Sequence, residues 1–380
     1  MSGQHPEVAI IGAGCAGLSL ARALLRADDG VRITIFDPRT GFERDRTWCG
    51  WTLPDAAFDE CVTHRWSRWI VTGPGGHAIA ACESMPYRHI PADAYYRYAV
   101  GELDASTRCR LSLGTAVHRL SPGGDRVAVE TSAGRATFAH VFDGRPAPPP
   151  EGGPSLVQHF AGVEIETERA VFDPGVATLM DFRVPQADGI HFFYVLPFSE
   201  RSALVEATFI TTTVESGVEY DARLDKYIRE QLGIDAWRET RRETGRIPMV
   251  AAAPARAPHA RVWRIGTGGG LVKPSTGYAF DVIHRDSERV ARAWTRGRSR
   301  PPRARPRISA WLDRVMLSYL SSNPEAAARV FPRLFRRCSP PRLIRFLNDQ
   351  GSAADMLAVM WSVPRVPIAW HCVRSAGGYL

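Results

Sequence analysis

Two hydrophobic periods follow one another at the start of the chain. Glu7–Ile11 carries a short apolar run that ends at Gly12, residues 18–25 repeat apolar side chains at helical spacing, and residues 31–36 alternate as a strand ending at Asp37. A switch from strand to helix to strand periodicity over about 30 residues predicts a βαβ unit. Residues 42–90 are mixed, rich in Trp and turn formers. Further on, the pattern predicts a helix over 93–103, two or three strands over 109–129 around Pro122-Gly123-Gly124, and a short strand at His140–Asp143. Residues 156–211 read mostly as strand, most clearly at 191–197 and 203–209, before a helix at 224–232 and a strand at 262–266. Beyond residue 277 the chain reads as helical, broken at 300–306 and by Pro324, Pro332 and Pro340-Pro341. The Arg- and Pro-rich stretch 296–307 reads as a mobile loop, and Pro146 to Pro150 with Gly152-Gly153 marks a boundary.

Two glycine clusters narrow the chemistry. Gly12-Ala13-Gly14-Cys15-Ala16-Gly17 lies between the first strand and the first helix, and Asp37 follows Gly17 by twenty residues. In such a unit the first glycine makes the tight turn and the second lets backbone approach a pyrophosphate. The third allows close helix–strand packing, and the acid accepts hydrogen bonds from a ribose. The helix start offers free N–H groups and partial positive charge to the phosphates. The second cluster lies within Ile265 to Tyr278 and includes Gly268, Gly269, Gly270, Pro274, Thr276 and Gly277. A dinucleotide motif at the start plus a late strand–glycine–helix junction suits FAD, whose ring the second cluster would approach with backbone N–H groups. The expected fold is α/β with mixed α+β character. It has a Rossmann-like FAD-binding lobe over 1–150, a β-rich substrate lobe over 151–260, a return to the FAD lobe over 261–290, and a helical C-terminal region over 291–380.

Composition excludes several other classes. Apolar residues are 44% and charged residues 23%, ordinary for a globular protein, and no apolar run has the length of a membrane span. The polar start, Met1 to Glu7, leads straight into a strand, so no secretory signal is expected. Seven scattered Cys without a CxxC pair argue against a disulfide scaffold and for a reducing cytosol. Eleven His without HxH or HExxH spacing indicate no metal site, and no GxSxG supports a nucleophile elbow. The net charge of +8 is local: residues 285–348 hold sixteen Arg against Asp286, Glu288, Asp313 and Glu325, leaving the rest of the chain net negative. A nucleic-acid binder would spread its charge and carry a reading motif, and none is present. Val330, Phe331, Leu334 and Phe335 stand among Arg329, Arg333, Arg336 and Arg337, and Leu343, Ile344, Phe346 and Leu347 beside Arg342 and Arg345. These basic amphipathic pieces suit either an anionic membrane surface or a helical cap with a solvated Arg face.

Several motifs, in order, carry a family resemblance. GGGLVKPSTGY (268–278) resembles the late flavin motif of the lycopene cyclases, and Arg46-Thr47-Trp48-Cys49-Gly50-Trp51 their Thr-Trp signature. Phe142-Asp143-Gly144-Arg145 resembles their Asp-x-Arg element, which adds Asp143 to the cofactor residues. Met180-Asp181-Phe182-Arg183, Tyr194-Val195-Leu196-Pro197, Leu204-Val205-Glu206-Ala207-Thr208, Gly245-Arg246-Ile247-Pro248-Met249 and the run 333–349 follow in the family's order. The chain resembles the bacterial flavin-dependent lycopene β-cyclases over nearly its whole length. It departs at Ala207, where the family's acidic motif often has a second acid, and at Lys273, often His in relatives.

The resemblance implies acid-initiated cyclisation of lycopene and related acyclic carotenoids, with reduced FAD required, NAD(P)H as reductant and no net electron transfer. It implies a cytoplasmic protein bound peripherally to the membrane. Glu206 is the expected proton donor: a lone acid in an apolar strand, its proton retained if buried, or facing solvent if that strand face is exposed. Asp181 is expected either to orient Glu206 or to be structural, and Glu164 is the third candidate. Trp48, Trp51, Phe193, Tyr194 and Tyr278 are candidate channel aromatics or ordinary core. An FAD-dependent monooxygenase or a prenyl or carotenoid reductase of the same fold is the alternative, and a non-catalytic carotenoid-binding or membrane-adaptor protein that keeps FAD for stability is a third reading.

Overall fold

The computed structural model describes residues 6–54, 56–146, 155–187, 189–212, 214, 219–252, 254–364 and 371–372. Five parallel strands form the first sheet, in the order Val262–Arg264, His140–Asp143, Glu7–Ile11, Arg32–Phe36, Cys109–Ser112. A parallel sheet needs cover on both faces, so its strands read as unbroken apolar runs. Val8 and Ile10 share a core with Leu18 and Leu24 of helix Cys15–Ala27 and Ile283 and Val290 of helix Phe280–Thr295. Ala9 and Ile11 point the other way, onto Val127, Val129 and Phe138 of a three-stranded antiparallel sheet.

The second sheet has seven strands, ordered Arg238–Val250, Ser155–Glu166, Ser202–Thr211, Ile190–Ser199, Val176–Asp181, Arg68–Gly73, Gly76–Ala81. Neighbours run antiparallel except Val176–Asp181 beside Arg68–Gly73, which are parallel. Strand Ser202–Thr211 is buried from Ala203 through Ile210 because both faces are covered. Ala203, Val205, Ala207 and Phe209 lie under helix Tyr220–Glu230, while Leu204 and Ile210 face a larger core with Trp51, Trp69 and C-terminal helices. Strands Arg68–Gly73 and Gly76–Ala81 come from the segment whose pattern is mixed, so the first 150 residues contribute to both large sheets rather than to one lobe. The expected boundary falls in 147–154, outside the described residues.

Helices Arg307–Ser322, Ala327–Arg337, Pro340–Leu347 and Ala353–Ser362 close the C-terminal part. Three expectations are corrected here. Val330, Leu334, Phe335, Leu343, Ile344 and Leu347 are buried core residues packed toward Trp51 and Trp69, so the apolar sides of these two helices are not an interface. Within the stretch 296–307, whose first residues are exposed, the second half is tied down: Arg305 is buried and bonded to Asp349, and the Pro302 carbonyl accepts from Arg256 at 2.5 Å. Pro332 lies inside helix Ala327–Arg337 and does not break it.

Strand Arg68–Gly73 packs closely on the helix at Pro332. Proline has no N–H for the carbonyl four residues earlier, here that of Ala328. The Ala328 oxygen instead sits against Gly73: a Cβ there would lie 2.2 Å from that oxygen and 2.9 Å from the Pro332 ring. Gly73→Ala is therefore expected to push strand and helix apart and cost about 1–3 kcal/mol, the usual range for overpacking. The midpoint of denaturant unfolding checks it; an unchanged midpoint would mean that the contact yields freely.

Candidate active site

Strand Glu7–Ile11 ends in Gly12, whose φ of 95° lets the chain turn sharply into helix Cys15–Ala27. Gly17 is required by closeness, since a Cβ there would stand 1.8 Å from the Gly12 oxygen. Gly14, at the helix N-cap, has open space where a side chain would be. Asp37 ends the neighbouring strand and is buried; it accepts from Ala13 N at 2.7 Å and from Arg39 N and Nε at 2.9 Å each. Burial pushes its carboxyl up, but the Arg39 guanidinium and the backbone donors outweigh this and hold it below the usual range. An open glycine before free helix N–H groups, with an ionised acid at the next strand end, fits the ADP half of a dinucleotide.

Asp143 lies opposite Ile11 at the end of its own strand and accepts from Arg145 N, Nε and Nη2 at 3.1, 2.9 and 2.8 Å. Its carbonyl accepts from Ile265 N at 3.0 Å, which brings the late glycine loop to the same sheet edge. Gly266 has φ 59° and packs so closely on the first helix that a Cβ would lie 2.7 Å from the Ala16 Cβ. Gly277, with φ 74°, abuts Gln158 of the large sheet, and a Cβ there would meet Gln158 Oε1 at 2.8 Å. Gly268 and Gly269 are buried in the 3-10 turn Gly266–Gly269, which Gly270 caps with φ 75°. Pro274 and Thr276 lie in the closed turn 273–278, where Gly277 N donates to the Lys273 carbonyl at 2.8 Å. The Lys273 ammonium has no exposure; it bonds Asp349 at 2.8 Å and Asp313 at 3.0 Å. The cation in place of the family's His is thus spent on two carboxylates.

The acid lies where this loop meets the large sheet. The antiparallel register places Tyr194, Glu206, Gly162 and Glu243 in one row across four strands. Glu206 is buried and accepts from Thr208 Oγ1 at 2.6 Å. Burial first, then the Glu243 charge, push its carboxyl up to about 8 against the hydrogen bond from Thr208. Glu243 is also buried and accepts from Arg241 Nη2 at 2.7 Å and Thr47 Oγ1 at 2.8 Å. Burial raises the Tyr194 phenol and the Cys49 thiol well above their ordinary values, and both feel the Glu206 charge. Trp51 closes the same region, its ring 5.8 Å from Tyr278 and 5.0 Å from Tyr87.

The other candidates are separated from Glu206. Asp181 pairs with Phe193 and so lies on the opposite face of the sheet, where it accepts from Tyr227 at 2.8 Å and from Arg183 at 2.6 Å. It cannot orient Glu206. Glu164 shares the Glu206 face but is clamped by Arg44 at 2.5 Å and Arg241 at 3.1 Å, at the edge of a cavity of about 280 Å³ lined by His64, His89 and Arg97. Among the aromatics, Phe193 stacks on Tyr227 across the sheet and Trp48 packs with Tyr95 and Phe280 in the N-terminal core, so neither adjoins the acid. Gly162 and Glu243 carry no signal as functional residues in the sequence, whereas Thr47 and Thr208 stand within the motifs that carry the family resemblance. Glu243 sits in a strand, RETRRETGRIPMV, whose polar alternation reads as exposed.

The fold is that of FAD-binding flavoproteins. A geranylgeranyl bacteriochlorophyll reductase-like protein of Thermoplasma acidophilum matches at a TM-score of 0.68 and 12% identity, over 96% of this chain and 98% of that one. A flavoprotein/dehydrogenase from Cytophaga hutchinsonii matches at 0.64 and 13%, over 98% and 100%. A variant of Klebsiella pneumoniae HpxO complexed with FAD matches at 0.59 and 13%, over 95% and 100%. Within that class the chain belongs to the lycopene cyclase protein family, which it matches over residues 7–372. A lycopene beta-cyclase of Paracoccus sp. is 28% identical over 403 residues, 95% of each chain.

The burial of Glu206 has a thermodynamic signature. Unfolded, its carboxyl titrates near 4.5; folded, near 8. Below the lower value both states hold the proton. Between the two only the folded state holds it, so this group's contribution to stability is lost as pH rises and is gone above about 8. Glutamine does not titrate. Glu206→Gln is therefore expected to gain stability over wild type across this window, on the order of a few kcal/mol in total. Denaturant melts at about pH 5 and pH 8.5 check the sign; a difference that does not change with pH would show Glu206 ionised in the folded protein.

Proposed function

We propose that this chain is a lycopene β-cyclase, closing the ψ ends of lycopene to β-rings by way of γ-carotene to β-carotene, without net redox change. The observation that carries the reading is Glu206: a buried carboxyl that keeps its proton near neutrality, beside Tyr194 and away from solvent. The Paracoccus relative supports the substrate. In this reading Gly12, Gly14 and Gly17 receive the pyrophosphate of FAD, Asp37 the ribose, and Asp143 with the 266–277 loop the flavin half. Bound and reduced, with NAD(P)H as reductant, FAD supplies negative charge beside a cation in a dry site.

Glu206 gives its proton to the terminal C1=C2 bond of lycopene. The C5=C6 bond attacks the resulting C1 cation, and loss of the C6 proton completes the β-ring, so one proton enters and one leaves. Tyr194, Tyr278 and Trp51 offer π faces, which favour a cation. Asp181 and Glu164, both engaged by arginines, take structural parts. The hydrocarbon substrate makes peripheral contact with a bilayer part of the reading. No helix among the described residues is long and apolar enough to cross one. Leu357, Met360 and Trp361 are exposed on helix Ala353–Ser362, and Arg333 of a preceding helix reaches its Ser362 carbonyl, giving an apolar and basic surface for that contact.

Two variants in a lycopene-producing host test the reading by pigment analysis. Wild type is expected to yield β-carotene. Gly14→Val should lose bound flavin, because its side chain enters the pyrophosphate space. Glu206→Gln should fold and retain flavin while ring formation falls at least about a hundredfold, the scale of general acid catalysis. A folded, flavin-loaded Glu206→Gln that still makes β-carotene at near wild-type rate would overturn the assignment. NAD(P)H consumed in proportion to product would favour the reductase or monooxygenase instead.

A further inference from the structure

The motif that holds Glu206 has alanine where relatives often place a second acid, yet the fold brings a second carboxylate to Glu206 from another strand. Gly162 lies opposite Glu206 on one side and opposite Glu243 on the other. Adjacent strands are about 4.8 Å apart, so the two glutamates are roughly 10 Å apart at the backbone, with a residue lacking a side chain between them. Their carboxylates point to the same face, and a Cβ at Gly162 would press on the Glu206 Cβ at 3.3 Å. The two acids have different partners. Among the described residues Glu206 has one donor, the neutral Thr208, while Glu243 has the Arg241 guanidinium and the Thr47 hydroxyl.

We propose that Glu243 is the fixed anion of the site, a positioning residue that acts through Glu206 by holding the proton there until substrate takes it. This rests on the reading of Glu206 as the proton donor. An acid catalyst must be loaded at working pH, and an ordinary glutamic acid would be almost wholly ionised near neutrality. The same field makes the Glu206 carboxylate formed after transfer a good acceptor, which suits return of a proton at the end of the cycle.

The surroundings leave Glu243 as the charge that matters. Glu206 meets Thr208 on its own strand and Tyr194 on strand Ile190–Ser199; Cys49 of strand Thr47–Trp51 feels its charge, Tyr278 and Tyr87 stand near Tyr194, and Thr47 bonds Glu243. The phenols and the thiol are neutral at the pH where Glu206 titrates, because burial raises each of them. Arg241 divides its charge between Glu243 and Glu164, and Arg44 covers the rest of Glu164. Removing the Glu243 charge leaves Arg241 less compensated, which acts on Glu206 in the same direction.

The test is the titration of the Glu206 carboxyl in the flavin-loaded protein without substrate, followed by its infrared carbonyl band and assigned by the band's loss in Glu206→Gln. Glu243→Gln is expected to move the midpoint to lower pH by about one unit, the scale of a nearby charge. The alkaline limb of ring formation should move with it, and Glu243→Asp, which keeps the charge, should hold the wild-type midpoint. A band that does not move in folded Glu243→Gln overturns the proposal, whatever the substrate. Ring formation that survives Glu206→Gln overturns the proton-donor reading instead, so the two failures are told apart. Should Glu243→Gln not fold, carboxyl-carbon NMR of the wild type decides: Glu243 must stay ionised throughout the Glu206 titration, and a protonated Glu243 overturns the proposal.

Discussion

The Lys273 ammonium, shut away from solvent between Asp313 and Asp349, is the contact on which the geometry of the site rests. Arg305 binds Asp313 at 3.2 Å and also Asp349, and Ser275 donates to Asp313 at 2.5 Å, so two cations and two anions neutralise one another in the interior. Losing one member of such a cluster is costly, because it leaves an uncompensated charge in the interior. Lys273 and Ser275 belong to the late glycine loop, whereas Asp313 and Asp349 come from the helical C-terminal part. The loop is therefore held from behind while its glycines face Ala16 on one side and Gln158 on the other. Tyr278 reaches the region of the acid because that loop cannot drift.

How far the sequence discloses this depends on the range of the interaction. The opening βαβ unit, the helix Ala92–Asp104, the strand at Val262–Arg264 and the paired strands around Pro197 follow from periodicity and turn residues, which act over short spans. Gly12, Gly14, Gly17 and Asp37 could be placed for the same reason: their spacing is the geometry. The acid Glu206 was legible as an anomaly, one carboxylate in an apolar run. The dependence of its environment on Glu243 was not, because that relation exists only in the register of three strands, two of them about eighty residues apart in the chain.

The errors have physical causes too. An amphipathic helix with arginines on one face looks the same whether its apolar side meets lipid or a sheet. Leu334, Phe335, Leu343 and Ile344 meet a sheet and its aromatic neighbours. Pro332 reads as a break because the rule concerns a lost hydrogen bond, and the rule is silent on what packs around the freed carbonyl, here Gly73. Asp181 and Glu206 both sit in β segments, and only the pairing of Asp181 with Phe193 shows that they face away from each other.

The parallel pairing of Val176–Asp181 with Arg68–Gly73 bears on the order in which the chain can acquire its shape during synthesis. The two strands at the far edge of the large sheet are made early, but their neighbour emerges about a hundred residues later. The first sheet likewise waits for Val262–Arg264 to occupy its edge, and for helix Phe280–Thr295 to cover its inner face. Neither half can close on the ribosome before most of the other has been translated. Early strands with unpaired edges are then exposed for much of that time, a condition under which chaperones hold nascent chains. The interleaving that brings the late loop close to the acid row also means that each large sheet is assembled from both early and late parts of the chain.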